Sequence, residues 1–297
     1  MSSSTSCVGI IGVGAMGFAM LEQLVAASFK VSVFDPSPAA RERATAAGAT
    51  SLDNANAVFA LGIPVITCLV SPKALESTIE EAIAAAECVP QVGSVIEAST
   101  LDLAVKGTAR ARLAERGIVL LDCPVSGTSA QARQGDLVVF ASGDKDALAR
   151  CQPIFDAIGR ETVHAGEFGS GMRLKLLANH LVGLHSAAGA EVLMLARRSG
   201  LDPQLVLKVL TTSAANSRIL EVRGPLMIDH QYLPATGSID IIVKDGFMIR
   251  AMGEQAGCAL PMFERAHDLF RLAQADGLGA HDIAALHQYL LEDSHRL

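Results

Sequence analysis

CVGIIGVGAMGFAMLEQLVAASFKVSVFD, residues 7–35, decides the fold. A short apolar run, Cys7 to Ile11, ends in Gly12-Val-Gly-Ala-Met-Gly17. Met16, Met20, Leu24 and Ala27 then recur at helical spacing, and Val31 to Phe34 form a second strand ending at Asp35. The order is strand, glycine turn, helix, strand, acid. Glycine permits the tight turn and lets backbone N–H groups approach a pyrophosphate. The helix start adds unpaired donors and the positive end of a dipole. Asp35 follows Gly12 at the distance where a carboxylate meets ribose hydroxyls. Gly12, Val13, Gly14, Ala15, Met16, Gly17 and Asp35 are therefore expected to bind a dinucleotide.

A carboxylate at Asp35 repels a ribose 2′-phosphate, and Pro36 supplies no phosphate-binding side chain, so NAD is expected ahead of NADP. Arg41 and Arg43 keep NADP open. The alternative for Asp35 is to start the Asp-Pro-Ser-Pro turn.

Strand and helix signals keep alternating. Strands are expected at 64–70, 95–98, 118–122, 137–141 and 162–164, with helices at 41–47, from Ser71-Pro72 onward and at 101–115. Such a pattern predicts a doubly wound, mostly parallel α/β sheet of Rossmann type. Ligands lie beyond the carboxyl ends of its strands, which puts Leu69, Val70, Ser99 and Thr100 beside the cofactor. Each hydroxyl could equally serve as a loop or cap group.

From Gly166 to Gly200 the chain reads as one helix of about thirty residues, spanning roughly 45 Å. It is apolar nearly all round, so cover by protein is expected on both faces. Lys175 and Asn179 are four apart on one face, and Val182, Ser186 and Ala190 continue the stripe. Capping and breaker signals place further helices after Asp202-Pro203 and at 217–230, 239–257, 261–275 and 281–291. The expected domains are 1–165, nucleotide-binding, and 166–297, all-helical.

With 297 residues, half of them hydrophobic, the chain can fill two cores. A net charge of −7 without a basic cluster argues against nucleic acid. The cysteines at 7, 68, 88, 123, 151 and 258 lack metal spacing, so no metal is expected and reduced thiols suit a cytoplasmic protein. Met1 to Ser6 does not read as a signal peptide, and no run reads as a membrane span.

Four motifs occur in order: GVGAMG (12–17), DCPVSGT (122–128), GxGxxxKxxxN (Gly169, Gly171, Lys175, Asn179) and Lys244-Asp245. Together they resemble the β-hydroxyacid dehydrogenase family, which includes 3-hydroxyisobutyrate, tartronate-semialdehyde and threonate dehydrogenases. The resemblance runs from residue 8 to about 250. It implies that Lys175 is the catalytic lysine and that Asn179 orients substrate. It also implies that Ser126, Gly127 and Thr128 hold the substrate carboxylate, that Ser99 and Thr100 lie on the nicotinamide side, and that Lys244 lies near the cofactor. The reaction implied is hydride transfer between NAD(P) and a small hydroxy acid. The subunits would form a homodimer or homotetramer, since the family's helical domain packs on a partner.

Four positions depart from the family pattern. Thr128 stands where many members have a second glycine. Ala178 and Val182 replace the histidine and glutamate of the 6-phosphogluconate branch. Gly237 replaces an aromatic seven residues before Lys244, as in threonate-type members, which favours a polyhydroxy acid. A 3-hydroxyisobutyrate or tartronate-semialdehyde activity is the alternative within enzymes. A non-catalytic NAD-binding module is the alternative outside them.

Overall fold

The computed structural model describes residues 6–293. Most of Met1 to Ser6, read above as no signal peptide, lies outside that range. The chain divides into two compact units, Met1–Lys175 and Leu176–Leu297. The division falls ten residues beyond the expected 165/166, inside a continuous helix. A helix that carries its own backbone hydrogen bonds passes between units without a linker.

The first unit holds β1 (Cys7–Ile11), α1 (Ala15–Ala26), β2 (Lys30–Phe34), α2 (Pro38–Ala46), β3 (Thr50–Ser51), α3 (Ala55–Phe59) and β4 (Val65–Thr67). It continues with α4 (Pro72–Ala86), β5 (Val95–Glu97), α5 (Leu103–Ala114), β6 (Leu120–Asp122), β7 (Val125–Ser126) and α6 (Ser129–Ala132). β8 (Leu137–Ser142), α7 (Lys145–Ile158) and β9 (Gly159–Gly166) complete its sheet. Strand order is β3-β2-β1-β4-β5-β6-β8-β7, with β9 beside β8. The strands from β3 to β6 run parallel, whereas β8 is antiparallel to β6. β4, β5 and β6 are buried at every residue, as strands covered on both faces should be. One core cluster centres on Ile10, Leu24, Val33 and Phe155, and the other on Phe59, Ile79 and Leu113.

The chain reverses its winding direction between β1 and β4, which opens a crevice at their carboxyl ends. The sequence reading passed over α3, α6 and α7. Pro153 lies inside α7 and obscures it, because proline removes a helical donor. Yet its buried residues Ala147, Leu148, Cys151, Ile154, Phe155 and Ile158 follow a helical period.

Next comes α8 (Ser170–Arg198), followed by α9 (Pro203–Thr211), α10 (Arg218–Ile228), α11 (Ile239–Gln255), α12 (Pro261–Ala273) and α13 (Leu286–Asp293). Asp202, Ser217 and Ser238 cap α9, α10 and α11 where the sequence placed starts. Leu193, Ile239, Phe270 and Leu286 anchor the second unit's core. Within the single chain α8 is covered on one face only: Leu177, Leu181 and Leu195 are each more than half exposed. No described helix is long and apolar enough to cross a membrane, and no disulfide joins any of the six cysteines.

Candidate functional site

The glycine loop is built by backbone exclusion. Gly12 has φ +90°, and a side chain there would strike the carbonyl oxygen of Cys68. A side chain at Gly17 would strike the Gly12 carbonyl oxygen. Above Gly14, by contrast, the space is open. Side chains cap α2 through α7, namely Ser37, Asn54, Ser71, Asp102, Thr128 and Asp144, but α1 starts at Gly14 with no side-chain cap. Exposed Gly14 and Ala15 thus present first-turn N–H groups to an anion. These features fit the pyrophosphate of a dinucleotide.

Asp35 makes the local turn bonds expected of the Asp-Pro-Ser-Pro alternative. Its Oδ2 accepts from the Val13 N–H at 2.9 Å, and its Oδ1 accepts from the Ser37 N–H at 2.9 Å. Each carboxylate oxygen retains a lone pair for a ribose hydroxyl. Arg41 donates to the Asp35 carbonyl oxygen at 2.6 Å, and Arg43 to that of Val13 at 2.8 Å. One guanidinium therefore borders the loop after β2 and the other the glycine loop after β1. Further along the sheet, the Leu69 N–H donates to Ser99 Oγ at 2.8 Å, tying the ends of β4 and β5 together. Val70 is 88% exposed beside that tie.

Beneath these loops lies a row of polar side chains that sequence reasoning missed. Thr67, Glu97, Asp122 and Ser142 are successive register partners across β4, β5, β6 and β8. Two carboxylates facing each other would repel. Lys106 of α5 resolves this: its Nζ lies 2.8 Å from Glu97 and 2.8 Å from Asp122, and all three side chains are fully buried. Burial alone would depress the ammonium pKa, but the two carboxylates outweigh it and hold the group above its ordinary value. The sequence did carry a signal, because Lys106, Ala109 and Leu113 share the buried face of α5.

The DCPVSGT loop is pinned locally. Thr128 caps α6 in a reciprocal box with Gln131, whose Oε1 accepts from the Thr128 N–H at 3.0 Å. Gly127 has φ +138°, and a side chain there would meet Leu137. Ser126 ends β7, in register with Val138.

α8 carries Lys175 and Asn179 one turn apart, both partly buried. In the second unit Asn179 Nδ2 donates to Asp245 Oδ2 at 2.6 Å, and Lys244 Nζ lies 2.7 Å from Asp245 Oδ1. Asp245 is 1% exposed and Lys244 is 45% exposed. One buried carboxylate thus fixes the Asn179 amide and directs its carbonyl oxygen away from Asp245.

Residues 7–166 match the family model described as the NAD binding domain of 6-phosphogluconate dehydrogenase. Residues 169–290 match the one described as NAD-binding of NADP-dependent 3-hydroxyisobutyrate dehydrogenase. The chain belongs to the β-hydroxyacid dehydrogenase family. It is 32% identical over 280 residues to an L-threonate dehydrogenase of Cupriavidus necator, with 94% of each chain covered. A second L-threonate dehydrogenase, from Pectobacterium atrosepticum, is 32% identical over 292 residues, covering 96% of this chain and 94% of the relative. Among solved structures, 3-hydroxyisobutyrate dehydrogenase of Mycobacterium tuberculosis with L-serine superposes with a TM-score of 0.86 at 25% identity, covering 96% of this chain and 99% of that one. The family's reaction applies here: the chain is an NAD(P)-dependent oxidoreductase of hydroxy acids.

Proposed function

We propose that the substrate is a C3–C4 hydroxy acid of the threonate or glycerate type, and that Lys175 is the general acid and base. The observation that carries this is the pairing on α8. A partly buried lysine stands one turn before an asparagine whose amide is clamped by buried Asp245. Bound NAD(P) supplies the hydride acceptor for oxidation, or the donor for reduction. In oxidation, the carbinol C–H bond breaks with its electron pair, a C=O bond forms, and the hydroxyl proton passes to neutral Lys175 Nζ. In reduction the lysine returns that proton to the oxygen. Asn179 holds the substrate oxygen or the lysine in line without changing the charge.

Ser126 and Gly127 receive the carboxylate, with Thr128 anchoring the loop through its capping box. Gly12 to Gly17, Asp35, Leu69, Val70, Ser99, Thr100 and Lys244 bind the cofactor. NAD is preferred because Asp35 meets the ribose, although Arg41 and Arg43 keep the preference narrow. The threonate-type reading draws on the named relatives and on Gly237. A side chain at Gly237 would start 3.1 Å from an Arg223 guanidinium nitrogen, so an aromatic there would press on the buried Arg223–Asp282 pair. A 3-hydroxyisobutyrate or tartronate-semialdehyde activity is the second reading, and the name of the solved neighbour supports the first of these.

The enzyme is further proposed to be cytoplasmic and to work as a homodimer or homotetramer. The exposed leucines of α8 recur along one face of that helix, an apolar stripe that a second copy would cover. Sedimentation as a monomer at working concentration would overturn that part.

The decisive assay follows NADH or NADPH absorbance with L-threonate, glycerate, 3-hydroxyisobutyrate and tartronate semialdehyde. Turnover of threonate or glycerate with NAD supports the reading; turnover of 3-hydroxyisobutyrate alone overturns the substrate class. Lys175→Met should lower kcat by at least ~10² while NADH still binds, since a general base contributes roughly 10²–10⁴. A near wild-type rate in that variant removes Lys175 from the chemistry.

A further inference from the structure

We propose that Lys106, with Glu97, Asp122 and Ser142, is a positioning device for the reaction. It fixes the first turn of α8, and thereby the place of the Lys175 amine, which rests on the acid–base reading above. The bonds run without a break. Asp122 Oδ2 accepts from the Met172 N–H at 2.8 Å. Ser142 Oγ accepts from the Gly171 N–H at 3.0 Å and donates to Asp122, 2.9 Å from its carbonyl oxygen and 3.1 Å from Oδ2. Both amides belong to the turn just before Lys175, where a helix has donors without internal partners and favours negative charge.

Contact at this point is close. A side chain on Gly171 would strike the Phe140 carbonyl oxygen and would come within 2.7 Å of the Asp122 carbonyl oxygen. Glycine lets the helix start abut the ends of β6 and β8, and the ions then fix its rotation. At the other end, Glu97 Oε1 accepts from the Ser99 N–H at 3.0 Å and from Thr67 Oγ1 at 3.4 Å. Ser99 in turn holds the Leu69 N–H. One buried network therefore ties a loop proposed to touch the cofactor to the helix that carries the proposed base.

Stability alone does not explain such a network. Apolar side chains of similar volume commonly match or exceed a buried ion pair in stability. What apolar packing lacks is direction. Three charged groups and a hydroxyl permit one arrangement of their partners, which apolar packing does not enforce to the same degree. Hydride and proton transfer require that kind of registration, because an error of about 1 Å costs roughly 10²-fold in rate.

The test uses the full-length enzyme and two variants, Ser142→Ala and Lys106→Met, each checked for folding by circular dichroism. Hydrogen exchange is read at the Gly171 and Met172 amides. Steady-state turnover is read with L-threonate, or with whichever acid of the panel above is fastest. In Ser142→Ala, exchange at both amides should quicken by roughly 10-fold, reflecting a looser turn. There kcat should fall about 10-fold while KM for the acid stays within ~3-fold. The pH limb of kcat should move from its wild-type position, because a loosened turn changes the surroundings of the amine. Folded Lys106→Met should show the same pattern with kcat down ~10². Should Lys106→Met not fold, Ser142→Ala carries the test, because it leaves the ions paired.

A folded variant with unchanged exchange, kcat and pH limb overturns the proposal. So does a fall in kcat matched by an equal rise in KM with the pH limb unmoved, which marks a merely structural role. If Lys175→Met keeps its turnover, the acid–base reading fails by itself. The exchange data then still show whether the network holds the turn.

Discussion

Lys106 and Lys244 each lie against an aspartate at nearly the same distance, 2.8 and 2.7 Å, yet the two contacts are physically unlike. Lys106 is sealed from water between two carboxylates, whereas Lys244 is 45% exposed beside buried Asp245. Water screens the second contact and leaves the first at full strength. The distance between two charges therefore says little about what their contact contributes. The fold seals one lysine inside the first unit and leaves the other half-exposed in the second.

Removing the sealed lysine should cost most. Lys106→Ala should destabilise the protein by about 3–5 kcal/mol, because two carboxylates are then left buried without a partner. Denaturant titration measures this, and a loss below 1 kcal/mol would erase the contrast between the lysines. The second effect falls on Asp245. Asp245→Asn weakens a charged hydrogen bond to Asn179 worth about 1.5–3 kcal/mol, so kcat/KM should fall roughly 10- to 100-fold.

The pH dependence separates the two units. The Lys106 ammonium is held above its ordinary value, so its stabilisation is complete below about pH 10.4 and is lost only as pH climbs through the raised value. The helical unit responds at the other end. Burial, reinforced by His230 and Arg197, pushes the His287 imidazole down to about 4. Its folded pKa lies below the unfolded one, so its contribution is complete above about pH 6.5 and fades as pH falls toward 4. Thermal melts between pH 7 and 4 should show this loss, and His287→Gln should flatten that limb. The smallest effect belongs to Lys244→Ala, at about 0–1 kcal/mol in stability. A weaker NADH affinity in that variant would sharpen the comparison by giving the open lysine a ligand.

How legible each region was follows from the same contrast. Gly12 and Gly17 could be read directly, because a turn that excludes side chains at those positions has few sequence solutions. The starts of α4, α9, α10 and α11 were legible for a similar reason, since their caps are local side-chain bonds. Lys106 was not singled out. In LAVKGTARARLA it looks like Arg110 and Arg112, yet it is buried and they are not. Thr128 was expected to serve the substrate, and its capping bonds appeared only with α6 in place. The cover expected around α8 is present on one side of the single chain.

By itself the sequence determined the winding of the sheet, the dinucleotide loop, the helical second unit and the family motifs around Lys175. Each of these is written in spacing along one segment, where local sterics and period suffice. The tertiary structure alone decided that Thr67, Glu97, Asp122 and Ser142 fall in one row, and that a lysine from α5 closes it. Strand register and burial are properties of neighbours distant in the chain. The strength of a charge contact depends on the water those neighbours exclude.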